Sequence, residues 1–233
     1  MTSPKLDLLC HTLHLKFKQP SRLRQSLVHR SYLNENRHSL LSSNERYEFL
    51  GDAVLELWIS QTLFRLFPQY QEGDLTNLRS LIVCTPNLYR IAKSINLGQY
   101  IFLSRGEETH GGRNNPSILA DTLESLIGAV YLDSGLSQVD HLLHSLFDQN
   151  IADISSQKIY KDPKSLFQEI AQEQKGITPG YQTTFAAGPD HAKTFTVAVS
   201  LGDQQIATGT GPSKQKAEEA AAVTAIKLFK IKH

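Results

Sequence analysis

Cysteine is scarce in the 233 residues, with only Cys10 and Cys84, and there is one tryptophan and one methionine. Neither cysteine belongs to a CxxC pair or has a histidine at ligand spacing, which excludes a disulfide framework and a zinc site of the usual kind. Both are expected to be small buried apolar residues. No GxSxG turn occurs, and neither cysteine has a recognisable histidine and asparagine setting, so serine and cysteine hydrolase chemistry is disfavoured too. No apolar run approaches the roughly 18 residues that a membrane span requires. The opening MTSPKLDLLCHTLHLKF lacks both the apolar core of a secretory leader and the Arg- and Ser-rich character of a transit peptide, so a cytoplasmic location without membrane attachment is expected. Charge of one sign is also missing: 24 Lys and Arg face 23 Asp and Glu. Overall charge therefore does not itself point to a nucleic-acid partner.

Hydrophobic residues make up 40% and charged residues 20%, as in a globular protein long enough for one large domain or two ordinary ones. The chain changes character along its length. Residues 160 to 233 hold nine lysines, no arginine and seven acids. The Leu-rich first part has its apolar residues at helical spacing, predicting helices over 4–15, 21–34, 42–67, 72–84, 86–95, 99–103, 114–133 and 136–155. Further on, KSLFQEIAQEQKG reads as an amphipathic helix stopped by Gly176, and YQTTFAAG, KTFTVAVSL and QQIATGTG read as strands between Gly, Pro and Asp turns. An Ala-rich helix, SKQKAEEAAAVTAIKLFK, follows. The expected organisation is an all-α domain over 1–153, a linker over 154–161 in the polar stretch DISSQKIYKDP, and a small α+β domain of order α-β-β-β-α over 162–231.

Two acidic clusters stand out. Glu45, Glu48 and Asp52 lie in NERYEFLGDAVLELW, and Asp121 and Glu124 in ILADTLESLIGAVYLD. Residues at i, i+3 and i+7 of a helix fall within about 60° of one another, so each cluster shares one helix face. Phe49, Leu50, Leu55 and Trp58 crowd the first set, and Leu119, Leu123 and Ile127 the second, with no Lys or Arg inside the apolar stretches. Desolvating a carboxylate is costly unless it is paired or binds a metal. Acids at this spacing usually mark only a solvated face, but two such sets inside apolar helices favour a shared divalent cation. Oxygen-only ligands favour Mg²⁺ or Mn²⁺.

LVHRSYLNEN, NERYEFLGDAVL, EGD at 72–74 and GEETHGGRNNPSILADTLESLIGAVYLD together resemble the bacterial ribonuclease III family. DPKSLFQEIAQ, GPDHAKTFTV and GTGPSKQKAEEAAA are similar to a double-stranded RNA-binding domain. The resemblance implies a ribonuclease III-like helical endonuclease domain followed by that domain. It implies a Mg²⁺-dependent endoribonuclease, with Mn²⁺ as a possible substitute, that hydrolyses double-stranded RNA to 5′-phosphate and 3′-hydroxyl ends. It further implies a homodimer whose two centres face opposite strands and leave short 3′ overhangs, with precursor rRNA and structured mRNA as substrates. Position by position, it assigns Glu48, Asp121 and Glu124 as metal ligands and Asp52 and Glu124 as catalytic residues. Glu45 and Glu72 would be auxiliary acids. Tyr47, the pair Thr109-His110 and Gln215 depart from the family pattern. The changes at Thr109 and Gln215 each remove a possible phosphate contact.

A reader of A-form duplex shape needs spaced contacts to 2′-hydroxyls and phosphates rather than base edges. Gln168 and Glu169 on the first helix of the second domain, Pro189, Asp190 and His191 in the strand loop, and Ser213, Lys214 and Lys216 at the start of the last helix are the candidates. That last helix end adds backbone N–H groups and a favourable dipole. Gly209 and Gly211 would tighten the turn into it. Among the histidines near polar loops, His29, His38 and His110, a structural role is the more frequent one, and His29 is expected to fix local packing. Phe49, Leu50 and Leu57 would supply either a dimer interface or an intrachain core. The competing readings are an RNA-binding protein without chemistry and a structural helical dimer with an appended RNA module. Both leave the acids unexplained.

Overall fold

The computed structural model describes residues 4–36, 40–156, 163–189 and 193–230. Two compact units, Met1–Lys158 and Ile159–His233, divide the chain. The first contains α1 (Pro4–Thr12), α2 (Pro20–Ser26), α3 (Arg30–Glu35), α4 (Glu45–Leu66), α5 (Glu72–Val83), α6 (Thr85–Ser94), α7 (Arg105–Thr109), α8 (Pro116–Ser134) and α9 (Leu136–Ser156), with 3₁₀ turns at Leu97–Gln99 and Gly112–Asn114. Among the described residues, no helix is long and apolar enough to cross a membrane.

At the centre, α4 lies along α8 with Leu55, Ile59, Leu123 and Ile127 fully buried. Two glycines allow the approach. A methyl group at Gly51 would run into the carbonyl oxygen of Glu124, and one at Gly128 into that of Tyr47. Here helix backbone meets helix backbone, with no side chain between. Asp133 near the end of α8 fixes the segment that leads into α2: its carboxylate accepts from the N–H of Lys18 at 2.7 Å and of Gln19 at 2.9 Å. Burial alone would raise the pKa of Asp133, but these bonds, the Ser134 hydroxyl and Arg22 outweigh it and hold the carboxyl below its usual value.

Several local expectations are corrected. The helix expected over 21–34 is broken at Leu27–His29, because Val28 bridges Phe102: the Phe102 N–H donates to Leu27 at 2.8 Å and the His29 N–H to Phe102 at 3.1 Å. The helix expected over 99–103 is for the same reason a 3₁₀ turn at Leu97–Gln99 followed by extended chain. The short α7 has no counterpart among the expected helices; Ser104 caps it by accepting from the Glu107 N–H at 3.1 Å. Helix α9 runs on to Ser156, into the first residues expected to form the linker, with the Ser155 and Ser156 hydroxyls bonded to the carbonyls of Ala152 and Asp153. Residues 157–161 of that segment lie outside the described residues. Cys10 and Cys84 are half-buried rather than buried.

The second unit has the expected order: α10 (Pro163–Lys175), β1 (Pro179–Ala187), β2 (Thr194–Leu201), β3 (Gln204–Gly211) and α11 (Lys214–Lys230). The three strands form an antiparallel sheet of order β1-β2-β3. Phe167, Val199, Ala221 and Ala225 form its buried core. Gly209 and Gly211 belong to β3 rather than to the turn after it. A methyl group at either would strike the backbone of α11 near Ala217, so glycine is what lets the Ala-rich helix lie on the strand.

Candidate functional site

Acids from α4 and α8 reach one place because the two helices are anchored at their starts. Asn44, 3% exposed, precedes α4; its N–H donates to Val28 at 2.9 Å, and its carbonyl accepts from Tyr47 at 2.8 Å and Glu48 at 3.0 Å. Ser125 Oγ of α8 donates to the same carbonyl at 3.4 Å. Asn115 caps α8 through its side chain, accepting from Ser117 at 3.0 Å and Ile118 at 3.3 Å, with Pro116 at the first helical position. Arg113 clamps the preceding turn by donating to the carbonyls of Gly98 at 2.8 Å and Ile101 at 3.0 Å.

One carboxylate oxygen each from Glu48, Asp121 and Glu124 lies within 4.8 Å of the others. All three groups are half-buried, and their pKa values rise. Burial, then the charges of Asp52, Asp121, Glu48 and Glu56, push Glu124 up to about 8. Burial and the neighbouring acids Asp121, Glu45 and Asp52 raise Glu48. Burial raises Asp121 against the opposing influence of His29 and Arg30. In the absence of metal, burial and the neighbouring charges favour the protonated forms of these acids, and a hard divalent cation would offset the same negative charge once they deprotonate. An all-oxygen donor set suits Mg²⁺ or Mn²⁺.

Asp52 is exposed and stands outside this group of three, although its charge acts on both Glu48 and Glu124. Glu45 is exposed and accepts from Ser43 Oγ at 2.7 Å. Glu72 sits at the exposed start of α5, bonded to Thr76 Oγ1 at 3.0 Å. An acidic cleft, about 650 Å³, is lined by Glu45, Glu48 and Asp121 together with His29, Arg30 and Glu107, three residues that sequence reasoning did not place there. They come from α7 and the segment around the start of α3, whose proximity depends on the Val28–Phe102 bridge. His29 Nδ1 pairs with Ser31 Oγ at 2.8 Å at the start of α3, and burial lowers the pKa of its ring. His110 Nδ1 pairs with the Gly106 carbonyl at 2.7 Å, a local helix-end contact. His38 lies outside the described residues.

In the second unit, Gln168 and Glu169 are exposed on α10, and Pro189 is exposed after β1. Asp190 and His191 lie outside the described residues. Ser213 caps α11, accepting from the Lys216 N–H at 3.2 Å. Lys214 is exposed, and Lys216 Nζ donates to Glu219 at 2.6 Å. Of the departures from the family pattern, Thr109 and Gln215 are exposed and Tyr47 is half-buried.

A ribonuclease-III-like family model matches residues 20–150, and a double-stranded RNA-binding motif matches residues 163–228. Ribonuclease 3 of Pelotomaculum thermopropionicum is 42% identical over 222 residues, covering 95% of this chain and 92% of its own length. Ribonuclease 3 of Syntrophobacter fumaroxidans is 44% identical over 231 residues, covering 97% and 96%. The crystal structure of the nuclease domain of ribonuclease III from Campylobacter jejuni, 38% identical, superimposes with a TM-score of 0.58 over 64% of this chain and 97% of that domain. A second structure of that domain, 39% identical with a TM-score of 0.58 over 62% of this chain and 97% of that one, shows flexibility in the region involved in its dimer formation.

Proposed function

The chain belongs to the ribonuclease III family, endoribonucleases acting on double-stranded RNA, and we propose that it cuts its duplex as a Mg²⁺-dependent homodimer. The observation that carries this reading is the convergence of Glu48, Asp121 and Glu124 from two helices to within 4.8 Å. These three side chains would hold the cation, for which Mn²⁺ can substitute. When bound, it supplies positive charge against the phosphate and a water that is nucleophilic at neutral pH. Asp52 and Glu124 would accept hydrogen bonds from the attacking water and orient it toward phosphorus. The water would lose one proton as it bonds to phosphorus and the bond to the 3′ oxygen breaks; that oxygen would take a proton from solvent and leave as a hydroxyl, and the phosphate would stay on the 5′ end of the other fragment. Glu45 and Glu72 are auxiliary acids in this reading. The substrates we propose are precursor rRNA and structured mRNA in the cytoplasm.

The test is incubation of a long perfect RNA duplex with the protein, with and without Mg²⁺, followed by end analysis. Metal-dependent fragments bearing 5′-phosphate and 3′-hydroxyl ends are expected. Duplex binding without any cutting would favour a non-catalytic RNA-binding protein.

Apolar residues on α4 support the dimer. Phe49 is 81% exposed, Leu57 58% and Phe64 73%, so they are not part of the intrachain core, whereas Leu50 is half-buried. Large exposed apolar side chains along one helix mark an interaction surface. Phe49→Asp is expected to shift the sedimenting species from dimer to monomer. An unchanged dimer mass would remove α4 from the interface.

In the second domain, Gln168 with Glu169, Pro189 with Asp190 and His191, and Ser213 with Lys214 and Lys216 would form the three contact points on the duplex. Lys216 would exchange Glu219 for a phosphate. The double variant Lys214→Ala, Lys216→Ala is expected to weaken duplex binding and to reduce the slope of log affinity against log salt by about 1 for each phosphate no longer neutralised. Cleavage at low salt should remain. An unchanged slope rules out both lysines as phosphate partners.

A further inference from the structure

The acidic cleft has to receive a polyanion, yet Glu45, Glu48, Glu107 and Asp121 all line it. One strong base stands on the same wall: Arg30, the first residue of α3. Its guanidinium Nη1 lies 3.8 Å from Glu45 Oε1, and its side chain is 75% exposed. That separation exceeds a hydrogen bond, and the pair is open to water and screening. Two other arginines of this domain, Arg113 and Arg79, are tied down. Arg113 donates to Glu108 and to two carbonyls, and Arg79 donates to Ser60 Oγ at 2.9 Å. Glu45 is held as well, through Ser43. Arg30 thus faces Glu45 without a hydrogen bond that commits it. Its charge still reaches the metal-site carboxylates, acting to lower both Glu48 and Asp121.

We propose that Arg30 is a further RNA-contacting residue: its guanidinium leaves Glu45 and takes a phosphate of the strand lying in the cleft, beside the phosphate that is cut. The planar fork matches two phosphate oxygens at once, which the single charge of a lysine does not. Glu45 is then the resting partner that keeps the fork pointed at the cleft before RNA arrives. The inference rests on the nuclease reading above, and its test separates binding from chemistry.

In the full chain carrying Glu124→Ala, duplex affinity is measured by gel shift from about 50 to about 200 mM salt with Arg30 retained, replaced by Ala or replaced by Lys. Arg30→Ala is expected to weaken binding about fivefold and to shallow the salt slope by about 0.9. Arg30→Lys keeps the slope but recovers only part of the affinity, which a merely structural role would not produce. In the cleaving protein, Arg30→Ala raises KM by the same factor and lowers kcat less. Unchanged affinity and slope in Arg30→Ala overturn the proposal whether or not the parent protein cuts RNA. If the parent fails to cut in Mg²⁺ while Arg30→Ala still loses affinity, the nuclease reading falls and the Arg30 contact is supported.

Discussion

Glu124→Ala is expected to lower the rate of duplex cleavage by on the order of a thousandfold while leaving duplex binding in place. Glu124 is the acid of the cluster with the most strongly raised pKa, about 8, because it is the group on which burial and four neighbouring acids act together. On the proposed reading, removing it deletes a ligand of the metal and a hydrogen-bond acceptor for the attacking water in one step. The measurement is single-turnover cleavage at saturating Mg²⁺, with a gel shift on the same samples. Cleavage within tenfold of wild type would take Glu124 out of the chemistry.

The same side chain predicts a pH dependence. A carboxyl whose folded-state pKa is raised favours the folded protein below the unfolded value, roughly 4.3, and that contribution is lost as pH rises through about 8. Metal-free wild type should therefore lose thermal stability relative to Glu124→Gln between those values, and the difference should level off above them. Deprotonation is what metal binding requires, so Mg²⁺ affinity should climb over the same interval. A pH-independent stability difference between the two proteins would contradict the raised pKa.

Gly51→Ala is expected to destabilise the first unit by about 3 kcal/mol, or ~10 °C in Tm, and to slow cleavage as well. The added methyl has no space except that occupied by the carbonyl of Glu124, which belongs to rigid helix backbone. The helices must part, carrying Glu48 away from Asp121 and Glu124. Gly73→Ala is the control. Gly73 is also helical, but nothing lies within 4 Å of an added methyl, so there the substitution should stabilise by about 0.5 kcal/mol by reducing the freedom of the unfolded chain. Differential scanning calorimetry of the two variants decides it: equal effects would mean that the α4–α8 contact does not constrain the fold.

The acids were legible in the sequence because helical spacing is local. Glu48 with Asp52, and Asp121 with Glu124, follow from a few residues of pattern, and so do the α-β-β-β-α order and the stop at Gly176. What escaped depends on partners distant in the chain. Nothing in SLVHRSYLNE says that the helix must open at Val28, since the cause is Phe102, and the same bridge places His29 and Arg30 on the cleft wall. Asp52 has as many apolar neighbours in sequence as Glu48, but those that should have covered it, Phe49 and Ala53, are themselves exposed on the outer side of α4. Periodicity identifies a face without saying whether anything lies against it.

Because Gly51 and Gly128 bring the two acid-bearing turns together main chain to main chain, the spacing of the backbone positions from which Glu48, Asp121 and Glu124 project is set by the helices themselves. Ligand chemistry and scaffold are separable here. Exchanging an acid for asparagine or histidine is therefore expected to alter which cation the site takes while leaving the α4–α8 contact in place.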